Sequence, residues 1–327
     1  MTYAQGGEIL AEDFAQLIGT VAAHGPDKLN TVWSSGYNDS GYGQTTIPLP
    51  ATFNQVTATQ WATAINALNN AYNHQSGVGS GISAPTAGIP ISWLSNLSTK
   101  ISTAYSNRLL YNSSGSSSAG AGYVFNMAGD PTQTVVGTGS RTLIWSSGDA
   151  ARYFFNAGGR VGIRVDSVTN NNGTSRSAAI VTLGSNFGSK TFYVRTATAR
   201  TGTGGTVTID DTDKGYYNGL STIPYTFTTI TSASYYASDY ILCRASSNGV
   251  QGALADNGNQ LTLTLEVSSA AVGGSQFDDT LDVTVNYNVF WTYPETTYLS
   301  NSWGTVTVSG ADSIPAAVLL VGGGGGG

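Results

Sequence analysis

The sequence predicts a mainly β protein, in which a small N-terminal helical region with a long loop precedes an antiparallel β-sandwich domain of jelly-roll-like form. Two patterns carry this prediction. Apolar residues in the first third recur every three or four positions, as they do on one face of a helix. From about Tyr123 onward, short runs of alternating apolar and polar residues are separated by turn-forming residues, as in antiparallel sheets.

Three helices are predicted in the first third of the chain. The first lies in EILAEDFAQLIGTVAAHG and is ended by a Gly-Pro pair. The second begins at a capping box formed by Thr57 and Gln60, and the third begins at Ser92, just after a proline. The apolar stripes consist of Phe14, Leu17, Ile18 and Val21; of Trp61, Ile65, Leu68 and Tyr72; and of Trp93, Leu97, Ile101 and Tyr105. Such stripes are expected to pack on one another or on a partner.

The domain organisation follows from changes in composition along the chain. Residues 1–110 are expected to form a helical attachment domain, and residues 111–122, which are rich in Gly and Ser, a flexible linker. Residues 123–321 are expected to form the β-sandwich, and residues 322–327 are a poly-Gly tail. The loop TVWSSGYNDSGYGQTTIPLP between the first two helices is long enough to suggest that it contacts something.

The β domain is predicted from runs rich in Val, Ile, Thr, Tyr and Phe. Strict alternation is clearest at Leu261, Leu263, Leu265 and Val267, which predicts a strand with one buried face. The predicted strands are TLIWS, RYFFN, RVGIRVDSV, AAIVTL, KTFYVRTAT, TVTIDD, YTFTTI, YILCRA, QLTLTLEVS, LDVTVNYNVFW and GTVTVS.

Charge is scarce in this chain, and its scarcity bears on function. Only 10% of the 327 residues are charged and the formal net charge is −6, whereas about 25% is usual. Nucleic-acid binding through phosphates needs a basic surface, so no nucleic-acid partner is expected. The longest late apolar run, residues 316–321, is too short for a membrane helix, so no membrane insertion is expected.

Groups capable of catalysis are few. The two histidines, His24 and His74, fall near predicted helix ends, where they would meet the helix dipole. Cys243, the single cysteine, is expected to be a small buried apolar residue. No zinc-binding spacing is present, so no metal, no cofactor and no enzymatic activity are expected.

Acidic clusters leave two alternatives open. Asp210, Asp211 and Asp213, and likewise Asp278 and Asp279, lie close together in the sequence. Paired carboxylates could hydrolyse glycans or bind calcium. Aspartate is also an ordinary turn residue between strands, and this simpler interpretation is favoured.

Two blocks of sequence carry a resemblance to a known group of proteins. The first, ILAEDFAQLIGTVAAHGPDKLNTVWSSGYNDSGYGQ followed by VTATQWATAINALNNAY, contains a glycine-rich loop from Gly36 to Gln44. The second, SGDAARYFFNAGGRVGIRVDS, is centred on residues 150–159. Both resemble segments of virion structural proteins of tailed bacteriophages, especially T4-like phages of cyanobacteria.

The resemblance implies a non-enzymatic structural component of the tail, neck or baseplate/fibre assembly of a phage particle. Its partners would be other virion proteins and further copies of itself, and a trimer is expected from such appendages. The alternative is a receptor-binding adhesin that recognises a host surface glycan through exposed aromatic residues. Candidate subunit-interface residues are Trp33, Tyr42, Trp61, Trp93, Tyr153, Phe154, Phe155, Gly158 and Gly159, because interface cores favour aromatic residues over charges.

Overall fold

A computed structural model describes residues 11–20, 23–36, 39–51, 54–86, 94–232, 236–251, 257–271, 279–313 and 318–319. Its helices are α1 (Ala11–Ile18), α2 (Leu29–Trp33), α3 (Ala58–Ser76), α4 (Leu94–Ser106), α5 (Gly148–Asn156), α6 (Ser175–Phe187) and α7 (Tyr216–Gly219). Its strands are β1 (Ser117–Gly129), β2 (Gln133–Ile144), β3 (Arg160–Asn170), β4 (Ser189–Phe192), β5 (Thr206–Asp210), β6 (Tyr225–Thr231), β7 (Tyr240–Ser247), β8 (Gln260–Ser269), β9 (Leu281–Tyr293), β10 (Thr307–Ser309), β11 (Asp312–Ser313) and β12 (Val318–Leu319).

The strands form two antiparallel sheets, which confirms the predicted mainly β fold. The smaller sheet has the order β1-β9-β3-β4. The larger has the order β10-β2-β8-β7-β6-β5, and β11 and β12 also pair with β2. The alternating apolar residues of β8 are all buried, as the sequence predicts. This arrangement is that of a β-sandwich, in which each sheet buries one face.

The two sheets approach each other closely at β2 because this strand carries glycines on its inner face. A Cβ atom on Gly137 would lie 2.6 Å from the ring of Phe125. A Cβ atom on Gly139 would lie 2.4 Å from the ring of Tyr287. The aromatic rings of the smaller sheet therefore fill the space that side chains on β2 would otherwise occupy.

The N-terminal helices form a second apolar cluster. The predicted capping box at the start of α3 is confirmed, because Thr57 accepts a hydrogen bond from the backbone of Gln60 and Gln60 accepts one from the backbone of Thr57. Trp61 of α3 packs edge-on against Phe14 of α1, with ring centroids 4.8 Å apart. The predicted start of the third helix at Ser92 and the stripe residues Val21 and Trp93 lie outside the described residues.

Two predicted strands are helices instead. RYFFN belongs to α5, where Ser147 caps the helix by accepting a hydrogen bond from Ala150 N. AAIVTL belongs to α6, where Thr174 accepts one from Ser177 N. Each cap satisfies a backbone donor at the helix start, and tertiary packing then outweighs the β propensity of aromatic and β-branched residues. Both predictions were wrong because the two runs are too short to show whether their apolar residues recur with the period of a helix or with that of a strand.

The predicted linker 111–122 is not a flexible connection. Its second half, residues 117–122, belongs to β1 and pairs with β9. Its first half is held as well, since the hydroxyl of Tyr111 accepts a hydrogen bond from Arg160 and Asn112 N donates one to His74 O. Small residues suit a linker, but they suit the exposed part of an edge strand equally well. The poly-Gly tail lies outside the described residues.

Candidate interaction site

The glycine-rich loop, residues 36–44, and the block centred on residues 150–159 meet in the structure. Arg152 of α5 is fully buried and donates a hydrogen bond to Ser40 O at 2.9 Å. The side-chain amide of Asn156, also in α5, donates to Ser40 O and to Gly41 O, each at 3.0 Å. The glycine-rich loop is therefore fixed to α5 by buried polar contacts, although more than a hundred residues separate the two in sequence.

The structure explains why the loop has glycine at position 43. Gly43 has φ +68°, a left-handed conformation that side-chain-bearing residues rarely adopt. A Cβ atom at this position would lie 2.3 Å from the ring of Tyr153 in α5. Both the backbone angle and the close approach of Tyr153 require glycine at this point.

The same loop is also fastened to the segment after β9. Gln44 donates a hydrogen bond to Ser300 O at 3.0 Å and accepts one from Ser300 N at 2.8 Å. The hydroxyl of Ser302 donates to Tyr42 O at 2.6 Å. Tyr42 lies within the main core, and its hydroxyl donates to Arg108 O just beyond α4. The loop thus joins α5, the end of α4 and the chain after β9.

A buried aspartate forms the charged part of this junction. Asp39 pairs with Arg108 at 3.0 Å and accepts a hydrogen bond from Arg195 Nε at 2.7 Å. Burial alone would raise the pKa of Asp39, but the hydrogen bonds and charges of the two arginines outweigh it and lower the pKa. Two cations thus share one anion, which leaves an excess positive charge here.

A cavity of about 250 Å³ opens beside the junction. It is lined by Leu109, Tyr111, Phe155, Gly158, Gly159, Tyr193, Val194, Arg195 and Thr196. Gly158 has φ +83°, and a Cβ atom on it would lie 2.3 Å from the Tyr111 ring. Arg195 is exposed at this cavity. The site combines apolar walls with a cation, which suits contact with an apolar group beside a polar or anionic one.

The candidate interface residues are distributed differently from the prediction. Tyr42, Trp61, Phe154 and Phe155 are buried in the chain's own core, so the prediction that they anchor another subunit is wrong for these four. Phe154 and Phe155 lie on the inner face of α5, where Trp145 packs against both of them.

The remaining candidates have mixed positions. Trp33 and Tyr153 are half-buried, Gly159 is buried, and Gly158 is half-buried at the wall of the cavity. Trp93 lies outside the described residues. Their participation in a subunit interface stays a prediction.

A buried pair that sequence reasoning missed lies at the end of α3. His74 Nδ1 and Glu295 Oε1 are 2.9 Å apart and both side chains are almost fully buried. Glu295 also accepts hydrogen bonds from Thr297 N and Tyr298 N. Burial would raise the pKa of Glu295, but the hydrogen bonds with His74, Tyr298 N and Thr297 N outweigh burial and lower the pKa. No local sequence signal links two residues 221 positions apart.

The first acidic cluster links the edges of the two sheets. Asp210 pairs with the buried ammonium of Lys190 at 2.6 Å and also accepts a hydrogen bond from Thr228. Asp211 accepts hydrogen bonds from the hydroxyl of Tyr225 and from Asp213 N, which forms a turn. These contacts agree with the simpler interpretation of the cluster as structural.

The second cluster is described only at Asp279, which accepts hydrogen bonds from Ser175 N and from the hydroxyl of Tyr236.

Within the described ranges, no group of three His, Cys, Asp or Glu residues is placed to hold a metal ion. None of the helices in those ranges is both long enough and apolar enough to cross a membrane.

Comparisons of the chain with known protein families, with curated proteins and with solved structures gave no match.

Proposed function

We propose that this protein is a non-enzymatic structural component of a bacteriophage virion, in the tail, neck or baseplate/fibre assembly. The observation that supports this most directly is the contact between the two blocks that resemble phage structural proteins. Arg152 and Asn156 of the second block bind the backbone of Ser40 and Gly41 in the first. Motifs that serve a common structural unit are expected to meet in this way.

The same junction supports separate roles for the N-terminal region and the β-sandwich. The N-terminal helical region attaches the protein to the particle, and the β-sandwich projects from it or tiles its surface. Buried hydrogen bonds and the Asp39–Arg195 ion pair hold the two parts together, so a load on one part is transmitted to the other. Its partners are other virion proteins and further copies of the chain.

The test is whether the protein is found in the particle. Purified virions would be analysed by mass spectrometry and labelled with gold-conjugated antibodies raised against the full chain. We expect the chain in the particle, with label confined to the tail or neck region. Its absence from virions in which the capsid protein is readily detected would overturn the proposal.

A second candidate is a receptor-binding adhesin, and the cavity is the observation that favours it. Tyr111 and Tyr193 line it beside the exposed Arg195, and aromatic rings with a cation suit an anionic sugar. A glycan array probed with the full chain distinguishes the two. Binding that is lost in Tyr193→Ala would favour the adhesin, whereas no binding to any host polysaccharide would eliminate it.

A further inference from the structure

Strand β1 forms a long edge of the smaller sheet. It runs for 13 residues and pairs with β9. Among the described residues, no strand pairs with its other side. The sequence of the strand, SSAGAGYVFNMAG, contains neither a charged residue nor a proline. Such an edge presents unpaired backbone donors and acceptors to any strand that approaches it.

The other edges of the two sheets are protected in the ways that natural proteins commonly use. Strand β4 has only four residues, and Thr198 N donates to Thr191 O on its free side. Strand β5 has five residues, a register shift and an aspartate at its end. The outer side of β2 is covered by β10, β11 and β12. Strand β1 is thus exceptional in both its length and its lack of charge.

The side chains of β1 leave its backbone accessible. From Ser117 to Gly122 they are no larger than serine, and most of these residues are exposed. Val124, farther along the strand, is 50% exposed although it is apolar. A second strand could therefore approach this edge without displacing bulky or charged groups.

We propose that β1 pairs antiparallel with β1 of a second copy of this chain about a twofold axis, which joins two four-stranded sheets into one. Charge favours this occupant. The chain has a net charge of −6, but β1 has none, so a twofold pairing of β1 with itself brings no like charges face to face. The inference deepens the assembly role proposed above and rests on it for its biological setting.

The length of the strand limits the strength of this contact. Thirteen residues at about 3.4 Å each span about 44 Å. Because neighbouring strands lie about 4.8 Å apart, the strip that each copy buries along this edge is narrow, well below the usual interface of about 800 Å² per partner. We therefore expect a reversible, concentration-dependent dimer rather than a permanent one.

Cysteine cross-linking tests the pairing directly. The native Cys243 is buried, so new cysteines on β1 can be read against a low background. Single substitutions, such as Gly122→Cys and Val124→Cys, would be made from residue 118 to 126 and oxidised singly and as mixtures of two variants. Thr208→Cys on the exposed face of β5 is the matched control.

The twofold geometry predicts a definite cross-linking pattern. Opposite residues of an antiparallel pair point to the same face, so one residue of β1 must lie opposite its own copy. Each step away from that residue separates the like positions by about 7 Å more. We expect one position at which a single variant cross-links best. Mixtures of two variants whose substitutions lie equally far on either side of that position are expected to cross-link as well.

Association in solution provides the second measurement. Val124→Lys places a charge on each copy at an already exposed position, and Thr208→Lys is its control on β5. Sedimentation analysis is expected to show a dimer whose dissociation constant rises at least tenfold in Val124→Lys and is unchanged in Thr208→Lys. Unchanged thermal melting would show that Val124→Lys still folds.

Several outcomes would overturn the inference. They are a wild-type protein that stays monomeric at the highest attainable concentration, a trimer without β1 cross-links, or a dimer that is indifferent to Val124→Lys. None of these outcomes touches the virion proposal, which is decided by whether the protein is present in particles.

Discussion

Replacing Asn156 by alanine tests whether the glycine-rich loop and α5 form one structural unit. Asn156 is 1% exposed, and its amide donates to Ser40 O and Gly41 O while its oxygen accepts a hydrogen bond from Tyr217. The alanine variant loses all three bonds. Tyr217 is half-buried, so its hydroxyl can reach water, but the two carbonyl oxygens lose a buried donor.

The magnitude follows from the carbonyl of Gly41. Ser40 O keeps its hydrogen bond from Arg152, whereas Gly41 O loses the donor that Asn156 supplies. A buried polar group that loses its partner costs about 1–3 kcal/mol. Asn156→Ala is therefore expected to reduce the free energy of unfolding by about 2 kcal/mol, a sizeable part of the roughly 5–15 kcal/mol that is usual for a domain.

The assay is urea denaturation followed by circular dichroism, with Asn171→Ala as the matched control. Asn171 also donates two side-chain hydrogen bonds, to Asp282 and Thr284, but it is exposed. Water can replace its bonds, so a loss below about 1 kcal/mol is expected. If the two variants lose equal stability, the loop is not held by Asn156 and the reasoning about the junction fails.

Substitutions and chemical labelling at other buried positions give further tests. A Cβ atom on Gly139 would lie 2.4 Å from the Tyr287 ring, whereas one on Gly122 would have no neighbour nearer than 3.9 Å. In denaturant unfolding, Gly139→Ala is expected to cost about 2 kcal/mol and Gly122→Ala less than about 0.5 kcal/mol; equal losses would contradict the sheet packing. Burial raises the pKa of Asp239 from 3.8 to about 6. The folded state therefore binds its proton more tightly, and stability is fully present below about pH 4 and falls by about 3 kcal/mol as the pH rises through 6. Asp239→Asn is expected to flatten this part of the stability–pH curve, and a wild-type slope in the variant would refute the assignment. Burial also raises the pKa of the Cys243 thiol to about 12, so a thiol reagent should label the protein only after unfolding, and rapid labelling of folded protein would show that the thiol is accessible.

The sheets could be predicted because their signal is local. Alternation at β8, with Leu261 to Val267 on one face, identifies a half-buried strand without knowledge of its neighbours. The capping box of α3 was equally local, since Thr57 and Gln60 are three residues apart. By contrast, RYFFN in α5 has strand-like composition, and its helical state depends on a serine cap and on packing within the core.

The site could be predicted only in part, because most of its contacts join distant segments. The role of the glycines in the loop and in ARYFFNAGG is visible only in the structure, which brings Gly43 against Tyr153 and Gly158 against Tyr111. No pattern of residue spacing in the sequence predicts the pairing of His74 with Glu295. The aromatic residues were assigned to a subunit interface because composition cannot distinguish an internal core from an external one.

The positions of the few charged residues change how the scarcity of charge is interpreted. Arg152, Arg176 and Lys190 are fully buried and bind backbone or side-chain oxygens from distant segments. These cations therefore stabilise junctions inside the chain rather than a solvated surface. Strand β1 has no charge that would keep another strand away. The same composition that fastens the chain internally thus leaves β1, among the described strands, as a long uncharged edge.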